Sequence, residues 1–223
     1  GKTTILQTMV MALVRTYSPL DVNIYIMDFG GWSMNIFRQF PHVGGIANDN
    51  EDVKIEKMVQ LLDRMLSERK QKFSDIGVNN LQGYKQATGV RMPNIVLMLD
   101  NFAPVLQLHP ELDTFFIRLT REGGNYGMYF IVTTGTPMSL TFKINQNIKM
   151  SAAFSMADKS DYAGIVGKTG GLEPENVEGR GLIKAMPPLE FQAALPIAGE
   201  LESDRVKKIK ALAEEMSSKW TGL

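Results

Sequence analysis

The sequence contains no cysteine, few histidines and no excess of either charge. The absence of cysteine excludes disulfides, thiolate metal sites and a cysteine nucleophile within these residues. The two histidines, His42 and His109, are too few and too far apart to predict a histidine-based metal site. With 24 basic and 24 acidic residues, the net charge gives no reason to expect general attraction to nucleic acid or to an acidic membrane surface.

Long apolar stretches are also missing from the sequence. No run of apolar residues approaches the ~20 that a membrane-spanning helix needs. The 223 residues are nevertheless 44% hydrophobic, which is enough apolar surface for a full core. The composition therefore predicts one sizeable domain, with or without a small appendage.

Two kinds of apolar pattern alternate along the chain. Short apolar runs, typical of buried parallel strands, lie at 23–29, 94–99 and 128–133, with shorter strand candidates at 150–154 and 181–185. Helical spacing of apolar residues is found at 2–17, 50–73, 111–121 and 204–220. We interpret the surroundings of Gly44 and Gly45 as a loop and the basic run 69–72 as a solvated helix end. Residues 74–92 are polar and contain glycine, and no element is predicted there. This alternation predicts an α/β fold with a mostly parallel central sheet flanked by helices.

Polar residues stand at the ends of three predicted strands. These residues are Asp28, Asp100 and the pair Thr133-Thr134. Ligands bind at the carboxyl ends of the strands in such sheets, so these positions outline a candidate site. For Asp28, which precedes Gly30, contact with a ligand and a plain turn both remain open.

The first four residues, Gly1, Lys2, Thr3 and Thr4, match the second half of the phosphate-binding motif G-x-x-x-x-G-K-[ST]. Glycine lets the backbone approach a phosphate, lysine supplies positive charge to the β- and γ-phosphates, and the Thr3 hydroxyl would hold Mg²⁺. The match is short, but a predicted helix follows it, and a strand ending in Asp100 comes later. We therefore predict a site for ATP and Mg²⁺, with Thr3 and Asp100 as the metal-binding residues.

The sequence begins inside this motif. Neither the first half of the loop nor the strand that normally precedes it is present. A parallel sheet without that strand would expose an edge and apolar surface. We therefore expect upstream residues in the natural protein.

Asp100 and Asn101 follow an apolar run in the manner of a Walker B motif. A strand-end aspartate that caps the next turn is the alternative for Asp100. ATP-hydrolysing P-loop enzymes usually carry a glutamate base at the next position, whereas the amide of Asn101 can bind a water but cannot take its proton. The sequence thus predicts weak or absent hydrolysis, and it predicts that Asn101→Glu raises turnover.

Arg121 and Arg180 lie in the glycine-flanked segments REGG and GRG. Each is a candidate catalytic arginine finger that reaches a phosphate in a neighbouring subunit. A structural salt bridge is the alternative for each of them.

Several segments in the same order resemble the FtsK/SpoIIIE-type ATPase domains. They are PHVGGIANDNEDVKIEKMVQLLDRMLSERKQKF, GVNNLQGY, MPNIVLMLDNFAPVL, REGGNYGMYFIVTT and EGRGLIKA, and with GKTT they cover the chain to about Pro196. Within that family, the segments most similar to an ATPase module of the type VII secretion motor are IYIMDFGG, TREGG and SSKWTGL. Trp220 to Gly222 resemble the linker that leaves the second of three modules.

The resemblance implies a RecA/FtsK-like P-loop NTPase fold. Residues 1–197 would form the ATPase domain, and residues 198–223 would form a C-terminal helix and the start of a linker. Lys2 and Thr3 match the Walker A residues, and Asp100 matches the Walker B aspartate. Asn101 replaces the family's glutamate, and residues 135–137 replace the Gln-Arg-Pro of DNA-pumping relatives, which weakens a DNA-translocase interpretation.

The resemblance also implies partners and a location. Neighbouring ATPase modules of the same motor and small helical secreted proteins would be partners, and the full protein would form a homo-oligomer such as a hexamer on the cytoplasmic side of the membrane. Two alternatives remain open at this point. One is an active DNA-translocase module, against which the balanced charge and Asn101 count. The other is a nucleotide-free docking module that binds a peptide.

Overall fold

The computed structural model describes residues 1–222. Its helices are α1 (Lys2–Thr16), α2 (Asp52–Asp75), α3 (Leu81–Thr88), α4 (Val105–Leu108), α5 (Asp113–Glu122), α6 (Phe142–Asn145), α7 (Asp161–Val166) and α8 (Glu202–Lys219). Its strands are β1 (Val22–Asp28), β2 (Val43–Asn48), β3 (Asn94–Asp100), β4 (Met128–Val132), β5 (Ala152–Phe154), β6 (Arg180–Ile183) and β7 (Leu189–Gln192). Short 3₁₀ helices lie at Ser33–Phe37, Pro110–Leu112, Gly123–Tyr126 and Pro137–Ser139.

The main sheet has four parallel strands in the order β2-β1-β3-β4. The central strand β3 separates two apolar cores because its successive side chains point to opposite faces. Leu97 and Leu99 pack with residues of α2 and α5 on one face. Val96 and Met98 pack with residues of α1 and α8 on the other face. The prediction of an α/β fold with a parallel sheet flanked by helices is confirmed.

A second, smaller sheet contains the later strands. It is antiparallel, in the order β5-β6-β7. Ala153 of β5 and Leu182 of β6 form a small core with Tyr162 and Val166 of α7. The two strand candidates of the sequence therefore form neighbouring strands of this sheet, whereas β7 was not predicted.

The loop interpretation around Gly44 and Gly45 is wrong, because these residues lie in the edge strand β2. Glycine usually signals a turn, but at Gly44 it makes room for the ring of Tyr25 on the neighbouring strand. A Cβ at Gly44 would lie 2.6 Å from the Tyr25 Cζ atom. The signal that favoured a loop is therefore a packing requirement between two paired strands.

The polar, glycine-containing segment 74–92 includes the helix α3, which is not predicted from the sequence. The Asn80 side chain caps the helix by accepting a hydrogen bond from the Gly83 N–H at 2.8 Å. Gly89 ends it with a φ of 69°. Leu81 and Tyr84 bury their side chains against Phe73 of α2, so a short polar sequence becomes helical through its caps and two anchors.

Helix α8 packs into the main domain. Ile209 and Ala213 are buried in the core that α1 and β1 share. Arg205 donates to the Gly199 carbonyl at 2.7 Å and Lys208 donates to the Ala198 carbonyl at 2.8 Å, which holds the start of the helix. The division at residue 197 stays a prediction. No helix within residues 1–222 is long and apolar enough to cross a membrane.

Candidate nucleotide-binding site

The candidate site lies where the strands of the main sheet end and helix α1 begins. Asp28 of β1 and Asp100 of β3 are partners in the register of these two strands. The Phe29 N–H donates to the Asp100 carbonyl at 3.0 Å, and the Phe102 N–H donates to the Thr133 carbonyl at 2.8 Å. These backbone bonds fix the ends of three strands relative to one another, so the side chains at this edge have defined positions.

The carboxylate of Asp100 is the centre of the site. Its side chain is buried, with 2% of the residue exposed. One oxygen accepts a hydrogen bond from the Thr3 hydroxyl at 2.6 Å, and the other accepts one from the Thr133 hydroxyl at 2.5 Å. The structure therefore brings together Thr3 and Asp100, which are 97 positions apart in the sequence. The prediction that both residues bind one Mg²⁺ ion requires this proximity.

The oxygen atoms of Thr3 and Asp100 fit a Mg²⁺ ion. Mg²⁺ prefers oxygen ligands and is usually held by one or two carboxylates together with substrate phosphates and waters. Within residues 1–222 no group of three or more histidine and carboxylate side chains could hold a metal alone. A single carboxylate beside a hydroxyl is thus a donor set that would hold the ion only in company with a bound phosphate.

The start of α1 is suited to an anion. Gly1 and Lys2 are exposed, and within the described residues no side chain caps this 15-residue helix. The first N–H groups of a helix have no partner inside the helix, and its dipole favours negative charge there. Thr4 lies in the same first turn, and its carbonyl oxygen is 2.9 Å from the Thr8 hydroxyl oxygen.

Asn101 has an unusual backbone conformation. Its φ is 63°, in the left-handed region, which asparagine tolerates better than most residues. The side-chain amide donates to the Phe29 carbonyl at 3.1 Å, and the Asn101 N–H donates to the Thr133 hydroxyl at 2.9 Å. Asn101 therefore ties the end of β3 to the residues that follow β1 and β4.

Asp28 forms a turn, which resolves the alternative left open by the sequence. One carboxylate oxygen accepts from the Gly30 N–H and the other from the Met34 N–H, both at 2.9 Å. The residue is fully buried. Both oxygens are therefore committed to the chain that follows β1, and Asp28 positions that chain beside Asp100.

The neighbouring strand end has its own carboxylate. Glu51 accepts a hydrogen bond from the Asn48 N–H at 2.8 Å, and this bond, assisted by Lys54, lowers the pKa of the Glu51 carboxyl. Asp49 accepts a hydrogen bond from the indole N–H of Trp32 at 2.7 Å. These contacts hold the segments after β1 and β2 against each other.

The two candidate arginines have different surroundings. Arg180 begins β6, where its guanidinium lies 3.3 Å from Glu175 and 3.9 Å from Glu190, so it forms the salt bridges of the structural alternative. Arg121 is exposed near the end of α5, close to the amino end of β4 and therefore at the sheet edge opposite Asp100. For both residues, a role as an arginine finger in a neighbouring subunit stays a prediction.

Two residues of the site were not among the predicted site residues. The sequence identifies Thr133 only as a polar strand end, and its place beside Asp100 follows from the pairing of β3 with β4. Gly30 has no assigned role in the sequence prediction. A Cβ at Gly30 would meet the Asp100 carboxylate, with its Cγ atom only 2.9 Å away. A glycine two residues after a strand-end aspartate was the available signal for this close approach.

Comparison with known proteins agrees with this geometry. Residues 1–170 match the FtsK/SpoIIIE family. The chain is 27% identical over 216 residues to the ESX secretion system protein EccC of Geobacillus thermodenitrificans, covering 97% of this chain and 14% of that protein. It is 28% identical over 222 residues to the type VII secretion system protein EssC of Staphylococcus aureus strain MRSA252, covering 96% of this chain and 15% of that protein. The chain thus spans about a seventh of the length of these relatives.

Solved structures show the same fold. The structure of EssC (ATPases 2 and 3) from Geobacillus thermodenitrificans matches with a TM-score of 0.91 at 27% identity, covering 98% of this chain and 42% of that one. Thermomonospora curvata EccC (ATPases 2 and 3), in complex with a signal sequence peptide, matches with a TM-score of 0.87 at 24% identity, covering 100% of this chain and 41% of that one. At 24% identity, the similarity to the Thermomonospora curvata structure shows the fold alone.

Proposed function

Because this chain belongs to the FtsK/SpoIIIE family, we propose that it is a nucleotide-binding ATPase module of a type VII protein secretion motor. It binds Mg-ATP and hydrolyses it weakly or not at all. The observation that carries the proposal is the hydrogen bond between the Thr3 hydroxyl and the Asp100 carboxylate, because it joins the two halves of a nucleotide site. The similarity to EccC and EssC proteins supports the choice of a secretion motor over other members of the family.

Each residue of the site has a defined task in this proposal. The amide groups at the start of α1 and the Lys2 ammonium bind the phosphates. Thr3 and Asp100 would hold Mg²⁺, and the bound ion would neutralise part of the negative charge of the phosphates. Thr133 orients the Asp100 carboxylate by donating to the oxygen that does not contact Thr3. Gly30 leaves the space that this carboxylate occupies.

Weak hydrolysis follows from the state of Asn101. Its amide cannot accept a proton from an attacking water, and its amide N–H donates to the Phe29 carbonyl. This side chain therefore supports the geometry of the site and does not supply the general base. A module of this kind would contribute to assembly or regulation of the motor through its nucleotide state.

We expect Asn101→Glu to raise ATP turnover by about tenfold or more, because a general base contributes 10²–10⁴-fold in enzymes that use one. ATP affinity should change little. Glutamate also loses the bond to Phe29 and tolerates a φ of 63° less well, so a fall in stability should accompany the gain. Steady-state phosphate release measures the turnover.

Asn101→Gln is the matched control, because it carries the same backbone strain and cannot accept a proton. It should be as destabilised as Asn101→Glu and no faster than the unmodified protein. Equal turnover in the two variants would contradict the role of residue 101 as the missing base. The assay requires a polypeptide that carries the complete phosphate-binding loop ahead of Gly1.

The proposed partners follow from the relatives. The relatives are multidomain proteins, and the structure of Thermomonospora curvata EccC contains a signal sequence peptide. We propose that neighbouring ATPase modules and small helical secreted proteins contact this module, in an oligomer such as a hexamer. Parts of the motor outside these residues would anchor it on the cytoplasmic side of the membrane.

Three titrations separate this proposal from its alternatives. Mg-ATP, duplex DNA and a helical peptide from a secreted substrate are each titrated into the protein at two salt concentrations. The proposal expects ATP binding without salt-sensitive DNA binding. DNA binding that falls steeply with salt, together with DNA-stimulated hydrolysis, would instead identify a translocase. Peptide binding without ATP binding would identify a nucleotide-free docking module.

A further inference from the structure

Three residues of the antiparallel sheet form a row across its strands. Phe154 of β5 is the register partner of Gly181 of β6, and Gly181 is the partner of Phe191 of β7. The neighbouring pair, Ala153 and Leu182, points to the opposite face and forms the small core with α7. The two phenylalanines therefore share the face that does not contain this core.

Gly181 allows the two rings to meet above the central strand. A Cβ at Gly181 would lie 2.8 Å from the Phe191 Cε1 atom and 2.7 Å from the Ala153 carbonyl oxygen. With no side chain in the way, the rings of Phe154 and Phe191 approach to a centroid distance of 5.6 Å with an interplanar angle of 60°. This tilted arrangement is a favourable one for two aromatic rings and holds them in place.

The aromatic row is not part of a hydrophobic core. Both rings are only partly buried, and within the described residues neither belongs to the four hydrophobic clusters of the structure. The face of a partly exposed aromatic ring is a planar apolar surface, on which a planar ligand can stack.

This surface faces the start of α1. The position of a Cβ on Gly1 lies 3.8 Å from the Phe154 Cγ atom. The Thr8 hydroxyl donates to the Ala194 carbonyl at 2.7 Å, which ties α1 to the chain that follows β7. The row is therefore held beside the N–H groups that would bind phosphates, and the rest of a bound nucleotide must extend from those groups.

We propose that Phe154, supported by Phe191, is the base-stacking wall of the nucleotide site. The inference rests on the proposed function, because it assigns the base of the nucleoside triphosphate whose phosphates bind at α1. Stacking acts on the face of the base and needs no hydrogen bonds to the base edge. The antiparallel sheet thus contributes a base-binding residue to a site whose phosphate and metal ligands belong to α1 and the parallel sheet.

The test compares Mg-ATP with Mg-tripolyphosphate, which has the phosphates and no base. Phe154→Ala should weaken Mg-ATP binding by about fivefold or more, in the range of base-aromatic stacking energies, and should leave tripolyphosphate affinity unchanged. Phe154→Tyr keeps the ring and should retain ATP affinity. Leu189→Ala is the matched control, because Leu189 is exposed on the same sheet and should affect neither ligand.

A Phe154→Trp variant reports contact between the base and the side chain directly, through fluorescence, without a comparison of affinities. The emission of the indole at position 154, taken as the difference from the unmodified protein with its two natural tryptophans, should change on addition of Mg-ATP and not on addition of Mg-tripolyphosphate. Equal losses for both ligands in Phe154→Ala would overturn the inference, because the ring would then support the loop and not the base. Unchanged ATP affinity in that variant would overturn it too. Absence of binding of both ligands to the unmodified protein would instead overturn the proposed function, and the inference with it.

Discussion

Arg69→Met is expected to lower the free energy of unfolding by about 3 kcal/mol, since hydrogen bonds to a charged group contribute about 1.5–3 kcal/mol each and an unpaired buried acceptor adds its own cost. Arg69 is 5% exposed, and its guanidinium donates to the Tyr126 carbonyl at 2.8 Å and to the Pro93 carbonyl at 2.7 Å. Urea unfolding followed by circular dichroism measures the loss.

The size of this effect comes from the place of Arg69 in the fold. Pro93 precedes β3 and Tyr126 precedes β4, so one side chain of α2 joins the amino ends of two adjacent strands. Burial lowers the pKa of Arg69 to about 10, which still leaves the group charged at neutral pH. Methionine fills similar space but leaves both carbonyls without their donor.

Arg64→Met is the matched control on the same helix. Arg64 is 69% exposed and lies 3.8 Å from Glu68, so its ion pair is weak. Its replacement should change stability by less than about 0.5 kcal/mol. Equal effects of the two substitutions would show that Arg69 does not hold the strands together.

Gly30→Ala is expected to weaken Mg-ATP binding by about tenfold or more, the range seen when the support of a metal ligand is removed. The backbone at Gly30 is not in the left-handed region, so the effect is steric. The new Cβ would lie against the Asp100 carboxylate, 2.9 Å from its Cγ atom. Asp100 would have to move away from Thr3, and the oxygen pair that would hold Mg²⁺ would separate.

Two comparisons make this prediction specific. Gly135→Ala is the matched control, because a Cβ at Gly135 has no heavy atom within 4 Å among its described surroundings and its φ is also not left-handed. ATP binding should be measured with Mg²⁺ and with EDTA. Gly30→Ala should reduce binding in the presence of Mg²⁺ far more than in its absence. A loss of the same size in both conditions would contradict a role of Gly30 in positioning the metal-binding carboxylate.

The sequence predicts the parallel sheet and the centre of the site because both have strong local signals. Apolar runs of the right length mark β1, β3 and β4, and the residues GKTT and Asp100 belong to motifs with a defined chemistry. The contact between Thr3 and Asp100 follows once the strands are parallel and their ends share one edge.

Other features depend on contacts that no local pattern contains. The interpretation of the basic run 69–72 as a solvated helix end is wrong for Arg69, because carbonyls just before β3 and β4 accept its hydrogen bonds. The sequence does not predict β2, because Gly44 suggests a turn, whereas in the structure it leaves space for the ring of Tyr25. The row of Phe154, Gly181 and Phe191 exists only through the pairing of three short strands.

The most direct test of the proposed function is a titration of Mg-ATP into a polypeptide that carries the complete phosphate-binding loop ahead of Gly1. Isothermal calorimetry compares the unmodified protein with Lys2→Ala and with Lys57→Ala, an exposed lysine on α2. We expect micromolar binding that Lys2→Ala abolishes and Lys57→Ala retains. Absence of binding to the unmodified protein, or equal binding to all three, would contradict a nucleotide site at the start of α1.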